Sequence, residues 1–278
     1  MNGPKPLVMV TAYDALSASI ADEAGVDYIL VGDSAATTVL GYANTRDLPV
    51  EELLVLTRAA RRGVRRAKLI GDLPFGTYEQ GDEQALATAR AFMDAGCDML
   101  KLEGAGVMCD RVHALVAHGF SVVGHVGLLP QGATSSADLK ARGRSAAEAV
   151  DIVRDALALE AAGATLLVVE AVPEAVGTAI AERLRIPVIG IGAGSGVDGQ
   201  VLVYTDLLGL GKGHVPRFVR QYDQARARWT EAIAGYARDV RARAFPAAAE
   251  TYGMAEEERA AFLAEMARVP KPSMRDNP

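Results

Sequence analysis

Five short apolar runs in this sequence each end in an acidic residue or a histidine. The polar residues at their ends are Asp33, Asp72, Glu103, His125 and Glu170. An apolar run of strand length predicts a buried strand, so each of these side chains is expected at a strand's carboxyl end. Four carboxylates and one imidazole suit a hard cation and a proton transfer. They do not suit zinc, thiol or nucleotide-hydride chemistry.

Asp33 and Asp72 each follow a glycine at the end of a run. Two interpretations are open for both residues, since aspartate also caps helix N-termini well. For Asp72 the sequence Leu-Pro-Phe follows, and proline disfavours a helical residue before it. We therefore favour a functional site over a helix cap at both positions.

Lys101 and Glu103 are two residues apart, and His125 lies between glycines. The two-residue repeat of a strand puts Lys101 and Glu103 on one face, where burial is costly unless they pair or bind a charged group. The glycines beside His125 leave room for a ligand, although a lone histidine is often structural. Glu170 ends the run Leu-Leu-Val-Val, and a desolvated carboxylate there suits a general base.

Eight strand-like runs alternate with helix-like stretches along the chain. The runs cover residues 7–14, 27–33, 68–72, 98–103, 121–125, 165–170, 186–192 and 201–206. This alternation predicts a (β/α)8 barrel, in which the carboxyl ends of all strands meet at one face. A doubly wound sheet is the alternative, but it would spread the five polar ends along an open edge. Gly25, Gly96 and Gly163 are each expected to end a helix in the left-handed conformation.

The predicted domain organisation is a single barrel domain over residues 1–278. From Pro216 onward the sequence is helical and charged, with a break near Phe245-Pro246. The tail at 247–278 contains an amphipathic helical pattern, which predicts packing on the barrel or on a neighbouring subunit.

The composition argues against several partners. The chain has 278 residues, a net charge of −6 and only two cysteines, Cys97 and Cys109. The longest basic stretch, at 61–66, is expected to end a surface helix, so nucleic acid is not expected as a partner. No signal-type or membrane-spanning run is present. These features predict a cytoplasmic protein without a disulfide framework.

The glycine-rich segment at 190–199 matches a dinucleotide fingerprint letter for letter. That fingerprint should follow the first strand of a βαβ unit and open a helix. Here it lies late in the chain and leads into another strand-like run. A wall of the barrel mouth is therefore the favoured interpretation. His113, His118 and His214 do not have metal-ligand spacing.

The sequence resembles the ketopantoate hydroxymethyltransferase family over nearly its whole length. The shared motifs are TAYD at 11–14, VGDS at 31–34, VLGY at 39–42, DLPF at 72–75, KLEG at 101–104, GHVGLLPQ at 124–131, VVEAVP at 168–173, IGIGAG at 189–194, DGQVLV at 198–203 and HVPRFV at 214–219. The resemblance implies a (β/α)8 TIM barrel of the phosphoenolpyruvate/pyruvate-type superfamily with a C-terminal helical extension. It also implies a homo-oligomer, typically a decamer, that uses Mg²⁺ and 5,10-methylenetetrahydrofolate.

The resemblance also implies a role for each site residue. Asp33 and Asp72 would bind the metal, with Glu103 close to it. Ser34 and Lys101 would hold a 2-oxo acid, His125 would lie nearby, and Glu170 would be the base. The implied reaction adds a one-carbon unit to 3-methyl-2-oxobutanoate and gives 2-dehydropantoate, a step of pantothenate biosynthesis.

Two segments differ from the family pattern. Ala35-Ala36-Thr37 replaces the usual Leu-Gly-Met, and 137–143 replaces a Gly-Gly-aromatic-Lys-Val-Gln-Gly run. These changes predict altered specificity, with a different 2-oxo acid in a specialised pathway as an alternative. A Mg²⁺-dependent lyase of the isocitrate lyase and phosphoenolpyruvate mutase type is a further alternative, although its Lys-Lys-Cys-Gly-His loop is absent. A non-catalytic metabolite-binding barrel is disfavoured, because Asp33, Asp72 and Glu170 are all present.

Overall fold

A computed structural model of the chain describes residues 5–133, 138–213 and 215–270. Eight parallel strands form a closed barrel in sequence order, with helices between most of them. The strands are β1 Leu7–Thr11, β2 Tyr28–Val31, β3 Lys68–Asp72, β4 Met99–Lys101, β5 Val122–Gly127, β6 Leu166–Glu170, β7 Val188–Ile191 and β8 Gly199–Leu202. The helices are α1 Ala15–Glu23, α2 Val50–Gly63, α3 Asp82–Asp94, α4 Met108–Ala117, α5 Ala146–Ala161, α6 Glu174–Ala181, α7 Tyr204–Leu207, α8 Ala225–Arg241 and α9 Glu256–Met266. The predicted (β/α)8 barrel is confirmed.

The barrel closes where β8 pairs with β1, with Met9 opposite Val201. Gly199 begins β8 at this seam, and a Cβ atom there would lie 2.4 Å from the Leu7 carbonyl oxygen. A larger residue would therefore push the closing strands apart. The glycine-rich segment joins β7 to β8 and opens no helix, which agrees with the rejection of a nucleotide fingerprint.

Side chains alternate between the barrel interior and the layer under the helices. Ile70, Val123 and Val168 belong to the interior cluster, whereas Leu69 and Leu100 belong to the outer one. Because strand side chains repeat every two residues, Asp72, His125 and Glu170 follow the interior residues onto the same face. Leu100 and Leu102 belong to the outer cluster, and Lys101 and Glu103 alternate with them along the chain. Lys101 and Glu103 therefore face the barrel interior together, which confirms the prediction that they share a face.

The predicted helix ends are also confirmed. Gly25, Gly96 and Gly163 all have positive φ angles, between 83° and 104°, at the turns that follow α1, α3 and α5. This conformation is open to glycine at little cost. Helix α2 ends at Gly63 with Arg61 and Arg62 in its last turn, where positive charge is favourable.

Several predicted strand boundaries are wrong. β2 ends at Val31 and β4 at Lys101, so Asp33 and Glu103 each lie two residues beyond their strand. β5 continues to Gly127, so His125 lies within the strand rather than at its end. β8 spans Gly199–Leu202, and α7 begins at Tyr204, where a strand was predicted to continue to residue 206. β1 ends at Thr11, because Asp14 caps α1 by accepting a hydrogen bond from the Ser17 N–H at 2.7 Å. Apolar pattern alone does not mark where a run leaves the sheet.

The chain divides into two compact units, Met1–Ala225 and Arg226–Pro278. This boundary lies near the start of α8 and not at residue 247, where the sequence placed the tail. The second unit carries most of α8 and all of α9. Its described residues are all partly or fully solvent-exposed. The packing predicted for 247–278 stays a prediction, and residues 271–278 lie outside the described part of the chain.

Within the described ranges, no helix is both long and apolar enough to cross a membrane. Cys97 and Cys109 are both free thiols, as the sequence predicted.

Candidate active site

The predicted site residues meet in one cavity at the carboxyl ends of the strands. Its volume is about 120 Å³. Its polar lining includes all seven predicted residues, which are Asp33, Ser34, Asp72, Lys101, Glu103, His125 and Glu170. Leu30, Val168, Ile191 and Val201 supply apolar walls. A small cavity that combines clustered charges with apolar walls suits a small acid with a short aliphatic chain.

Lys101 is the central cation of the site. Its Nζ lies 2.8 Å and 2.9 Å from the two carboxylate oxygens of Asp72 and 3.5 Å from Oε1 of Glu103. Burial by itself would lower the pKa of Lys101, but the charges of Asp72 and Glu103 outweigh burial and raise it. Lys101 therefore stays positively charged although it is buried.

His125 lies between two carboxylates. Its Nδ1 is 3.2 Å from Oε1 of Glu103, and its Nε2 is 3.3 Å from Oε2 of Glu170. The second contact is an ion-pair distance that lacks hydrogen-bond geometry. Burial and the charge of Lys101 oppose protonation, but Glu103 and Glu170 outweigh them and raise the pKa of His125 to about 9. His125 is therefore a cation at neutral pH.

Asp33 carries a buried oxygen, Oδ2, that has no hydrogen-bond partner. Burial first, and then the charges of Asp72 and Glu103, raise the pKa of Asp33 to about 8. Its backbone N–H donates to Oδ2 of Asp72 at 3.1 Å, so the two carboxyl groups are neighbours. The helix-cap alternative is wrong for both residues: the nearest helical turn, Ala36–Leu40, has Ala35 at its N-cap, and α3 begins only at Asp82.

The donor set fits a magnesium ion that shares its coordination with a ligand. Among the described residues no group of three or more His, Cys, Asp or Glu side chains is arranged to hold a metal. Mg²⁺ in proteins, however, commonly uses one or two carboxylates and keeps waters or substrate oxygens. The unpaired Asp33 oxygen beside Asp72 offers such a site, because a cation there would relieve its desolvation and repulsion.

Glu103 differs from Asp33, since both of its oxygens have protein partners. Oε1 contacts Lys101 and His125, and Oε2 accepts the Gln131 N–H at 3.0 Å. Burial would raise the pKa of Glu103, but Lys101 and His125 lower it overall. Glu103 is thus an ionised link between the two buried cations. Its predicted place beside a metal stays a prediction.

Glu170 is held by the backbone around it. Its side chain is 17 % exposed, so the desolvation expected at this strand end is only partial. Ala171 follows with a positive φ of 49°, a strained conformation for a non-glycine residue. The Glu170 carbonyl oxygen passes so close to Gly127 that a Cβ atom there would lie 2.3 Å away. The Glu170 side chain lines the cavity.

Sequence reasoning missed three residues that support the site. Gln131 donates from Nε2 to the Leu73 carbonyl at 3.0 Å and accepts the Tyr78 hydroxyl at 2.7 Å through Oε1. Tyr78 in turn accepts the Glu103 N–H at 3.2 Å. Tyr13 bonds to Ser34. Tyr13 and Gln131 do lie in the motifs TAYD and LLPQ, but nothing in the sequence pattern marks Tyr78.

The altered segment Ala35-Ala36-Thr37 does not form a wall of the cavity. Ala35 and Ala36 are fully buried and pack in the outer hydrophobic cluster, and Thr37 is exposed. The other altered segment, at 137–143, includes Ala137, which lies outside the described residues. The specificity change predicted from these two segments therefore stays a prediction.

Solved structures share the barrel at low sequence identity. A complex of phosphonopyruvate hydrolase with oxalate and Mg²⁺ has a TM-score of 0.59 at 15% identity, with 95% of this chain and 92% of that chain covered. This similarity establishes the fold alone.

Sequence relatives are far more similar. The 3-methyl-2-oxobutanoate hydroxymethyltransferase of Geobacillus kaustophilus is 47% identical over 255 residues, with 91% of each chain covered. The enzyme of the same name from Oleidesulfovibrio alaskensis is 46% identical over 254 residues, with 91% of this chain and 88% of that protein covered. The ketopantoate hydroxymethyltransferase family model matches residues 1–248. The chain therefore belongs to the ketopantoate hydroxymethyltransferase family of enzymes.

Proposed function

We propose that this enzyme transfers a one-carbon unit from 5,10-methylenetetrahydrofolate to 3-methyl-2-oxobutanoate and releases 2-dehydropantoate and tetrahydrofolate. One C–C bond forms at C3, and a water molecule supplies the hydroxyl oxygen. Family membership supports the reaction class. The observation that carries the assignment to this cavity is the unpaired buried oxygen of Asp33 beside Asp72, on the same cavity as Glu170.

Asp33 and Asp72 would hold Mg²⁺, with Glu103 behind them. The bound ion would supply a Lewis acid at the 2-oxo group of the substrate. A barrel of the same fold has been solved with oxalate and Mg²⁺, so this architecture is compatible with a metal and a small oxo acid. Lys101 also supplies positive charge beside the metal site. Its own charge is balanced, because it is paired with Asp72.

Glu170 would remove the proton from C3 of the substrate. One of its oxygens contacts the His125 imidazolium at 3.3 Å, which fixes the carboxylate without a hydrogen bond that would compete for the proton. Ser34 would donate a hydrogen bond to the substrate carboxylate, and Lys101 would add positive charge where negative charge develops. The apolar walls at Val168 and Ile191 would pack against the aliphatic end of the substrate.

Two alternative functions rest on different observations. A different 2-oxo acid as the preferred substrate rests on the altered segments, of which Ala35 and Ala36 are buried away from the cavity. A lyase of the phosphoenolpyruvate mutase type rests on fold similarity alone, at 13–17% identity. The relatives at 43–47% identity carry the hydroxymethyltransferase name. We therefore favour the hydroxymethyltransferase.

We also propose that the enzyme is a homo-oligomer, with a decamer as the size that family resemblance suggests. The support is the second unit, where Trp229, Ile233 and Tyr236 on α8 are 57%, 68% and 58% exposed. Light scattering coupled to gel filtration of the full chain should give a mass well above the monomer's. A monomer at micromolar concentration would contradict this proposal. A cytoplasmic location stays a prediction from sequence.

The test of the proposed function is a panel of 2-oxo acids of increasing chain size, each with methylenetetrahydrofolate and Mg²⁺. Mass spectrometry should detect a gain of CH₂O on 3-methyl-2-oxobutanoate, and this substrate should be the best in the panel. One methylene more or less should cost about 10–200-fold in kcat/KM. If another acid reacts and 3-methyl-2-oxobutanoate does not, the reaction class stands and the named substrate is wrong. If no acid gains CH₂O, the proposed function is wrong.

A further inference from the structure

Ser34 lines the cavity, and its hydroxyl already has a hydrogen-bond partner within the protein. Its Oγ lies 2.7 Å from the Tyr13 hydroxyl oxygen, and either atom could be the donor in this bond. Tyr13 itself is fully buried and does not line the cavity. The Tyr13 hydroxyl also interacts with the side chains of Thr11 and Thr38, and Thr11 lines the cavity. Ser34 is the partner at hydrogen-bond distance, and it lies beside the carboxyl groups of the site.

The burial of Tyr13 favours one of the two possible directions of this hydrogen bond, in which the phenol donates to Ser34. A buried phenol pays a penalty unless its O–H finds an acceptor, and the Ser34 oxygen is at ideal distance. Burial raises the pKa of Tyr13 to about 12, so the phenol keeps its proton at neutral pH. When Tyr13 donates to Ser34, the proton of the Ser34 hydroxyl is left for another acceptor. A carboxylate accepts and cannot donate, so it matches this orientation.

Gly32 supports the same geometry independently. A Cβ atom on Gly32 would lie 3.1 Å from the Ser34 Oγ and 3.7 Å from Oδ2 of Asp72. The missing side chain therefore leaves space for the serine hydroxyl beside the carboxyl groups. Ser34 is held from one side by Tyr13 and has room at the cavity side.

We propose that Tyr13 is a positioning residue that turns the Ser34 hydroxyl into a hydrogen-bond donor aimed at the carboxylate of the 2-oxo acid. This inference rests on the proposed function, because it assumes that Ser34 faces the substrate carboxylate. Tyr13 would act on substrate binding and not on the proton transfer by Glu170. Its removal should therefore raise KM and leave kcat nearly unchanged.

The experiment measures exchange of the C3 hydrogen of 3-methyl-2-oxobutanoate in D₂O with Mg²⁺ and without folate. Tyr13→Phe should raise KM about three- to tenfold, with kcat within about twofold of wild type. Ser34→Ala should raise KM about ten- to a hundredfold, because it removes a hydrogen bond to a charged group. The double variant should match Ser34→Ala alone if Tyr13 acts through Ser34, and it should be weaker than Ser34→Ala if Tyr13 acts through Thr11 instead.

Tyr204→Phe is the matched control. The Tyr204 ring packs against Tyr13 with centroids 5.5 Å apart, so this variant removes a neighbouring phenol oxygen without touching Ser34. It should leave KM unchanged. Replacement of Tyr13 by 4-aminophenylalanine keeps a donor at the same position and should return KM to within about twofold of wild type.

Several outcomes would overturn the inference. They are equal KM values for Tyr13→Phe and Tyr204→Phe, additive effects in the double variant, or a Tyr13→Phe protein that fails to fold while the 4-aminophenylalanine protein folds. A loss of the proposed function is distinguishable from all of these. In that case the wild type itself shows no exchange. If the wild type exchanges and Ser34→Ala leaves KM unchanged, the inference is overturned and the proposed function stands.

Discussion

The two sides of the barrel mouth differ in how far their charges are satisfied. On the partnered side, which we define as Asp72, Lys101, Glu103 and His125, both oxygens of each carboxylate and the ammonium group have protein partners. The His125 ring has a hydrogen-bond partner at Nδ1 and an ion-pair contact with Glu170 at Nε2. On the open side, defined as Asp33 and Glu170, one carboxylate has an unpaired buried oxygen and the other is partly exposed.

This difference separates side chains that hold the geometry of the site from side chains that act on the ligand. A buried charge without a partner is costly, so the raised pKa of Asp33 keeps this residue protonated at neutral pH until a cation binds. Glu170 is partly exposed, so solvent or a ligand can compensate its charge. The partnered side carries no such requirement and can hold its geometry before substrate arrives. We expect changes on the open side to affect ligand binding and turnover, and changes on the partnered side to affect stability as well.

Metal removal should have the largest effect on activity, because the metal ion is the cation that the open side needs. EDTA should abolish both C3 hydrogen exchange and CH₂O transfer, and Mg²⁺, Mn²⁺ or Co²⁺ should restore them. The measurement is mass spectrometry on dialysed enzyme before and after readdition, with Ca²⁺ at equal ionic strength as the control for charge screening. Full activity in the chelated sample would remove Asp33 from the role of metal ligand.

Glu170→Gln should lower turnover by roughly 10²–10⁴-fold, because it removes the base but keeps the shape of the side chain. Substrate KM should change little, and so should the thermal unfolding midpoint, since Glu170 is partly exposed. Glu174→Gln, at an exposed glutamate four residues later, is the matched control. Unchanged C3 exchange in Glu170→Gln would require a different base.

Lys101→Met should destabilise the protein by about 3–5 kcal/mol, because it leaves Asp72 buried without a cation and Glu103 with His125 alone. Urea denaturation at neutral pH measures the change. Lys68→Met, at an exposed position on β3, should cost far less. A Lys101→Met protein as stable as wild type would contradict the proposed difference between the two sides.

Asp33 should make the metal-free protein less stable as pH rises. The pKa of Asp33 in the folded protein is about 8, above the value of an unfolded aspartate near 4. The folded state therefore holds its proton more tightly, and this stabilisation is lost as pH rises through about 8. Asp33→Asn should flatten this dependence by on the order of 4 kcal/mol between pH 5 and 8 in EDTA. Parallel urea curves for wild type and variant between pH 5 and 9 provide the test.

Parts of this architecture could be predicted from the sequence because they depend on local pattern. Apolar runs of strand length predicted the strands, and the two-residue repeat of a strand predicted the shared face of Lys101 and Glu103. Glycines after α1, α3 and α5 predicted the helix ends through their backbone freedom. The order of polar strand ends predicted which side chains meet, because parallel strands in a closed barrel share one carboxyl face.

Other features were decided only by tertiary structure. Where β5 ends depends on its pairing with β6, which continues to Gly127 opposite Glu170, beyond the glycine-flanked histidine that marked its end in the sequence. The contacts of Gln131 with Leu73 and Tyr78 join residues 58 and 53 positions apart, and no local pattern encodes such distances. Contacts between distant parts of the chain likewise decide whether a carboxylate at a strand end has a protein partner. The sequence by itself determined which charged groups reach the barrel mouth. The tertiary structure decided that Lys101 pairs with Asp72 and leaves Asp33 bare, because that choice depends on distances between separate strands.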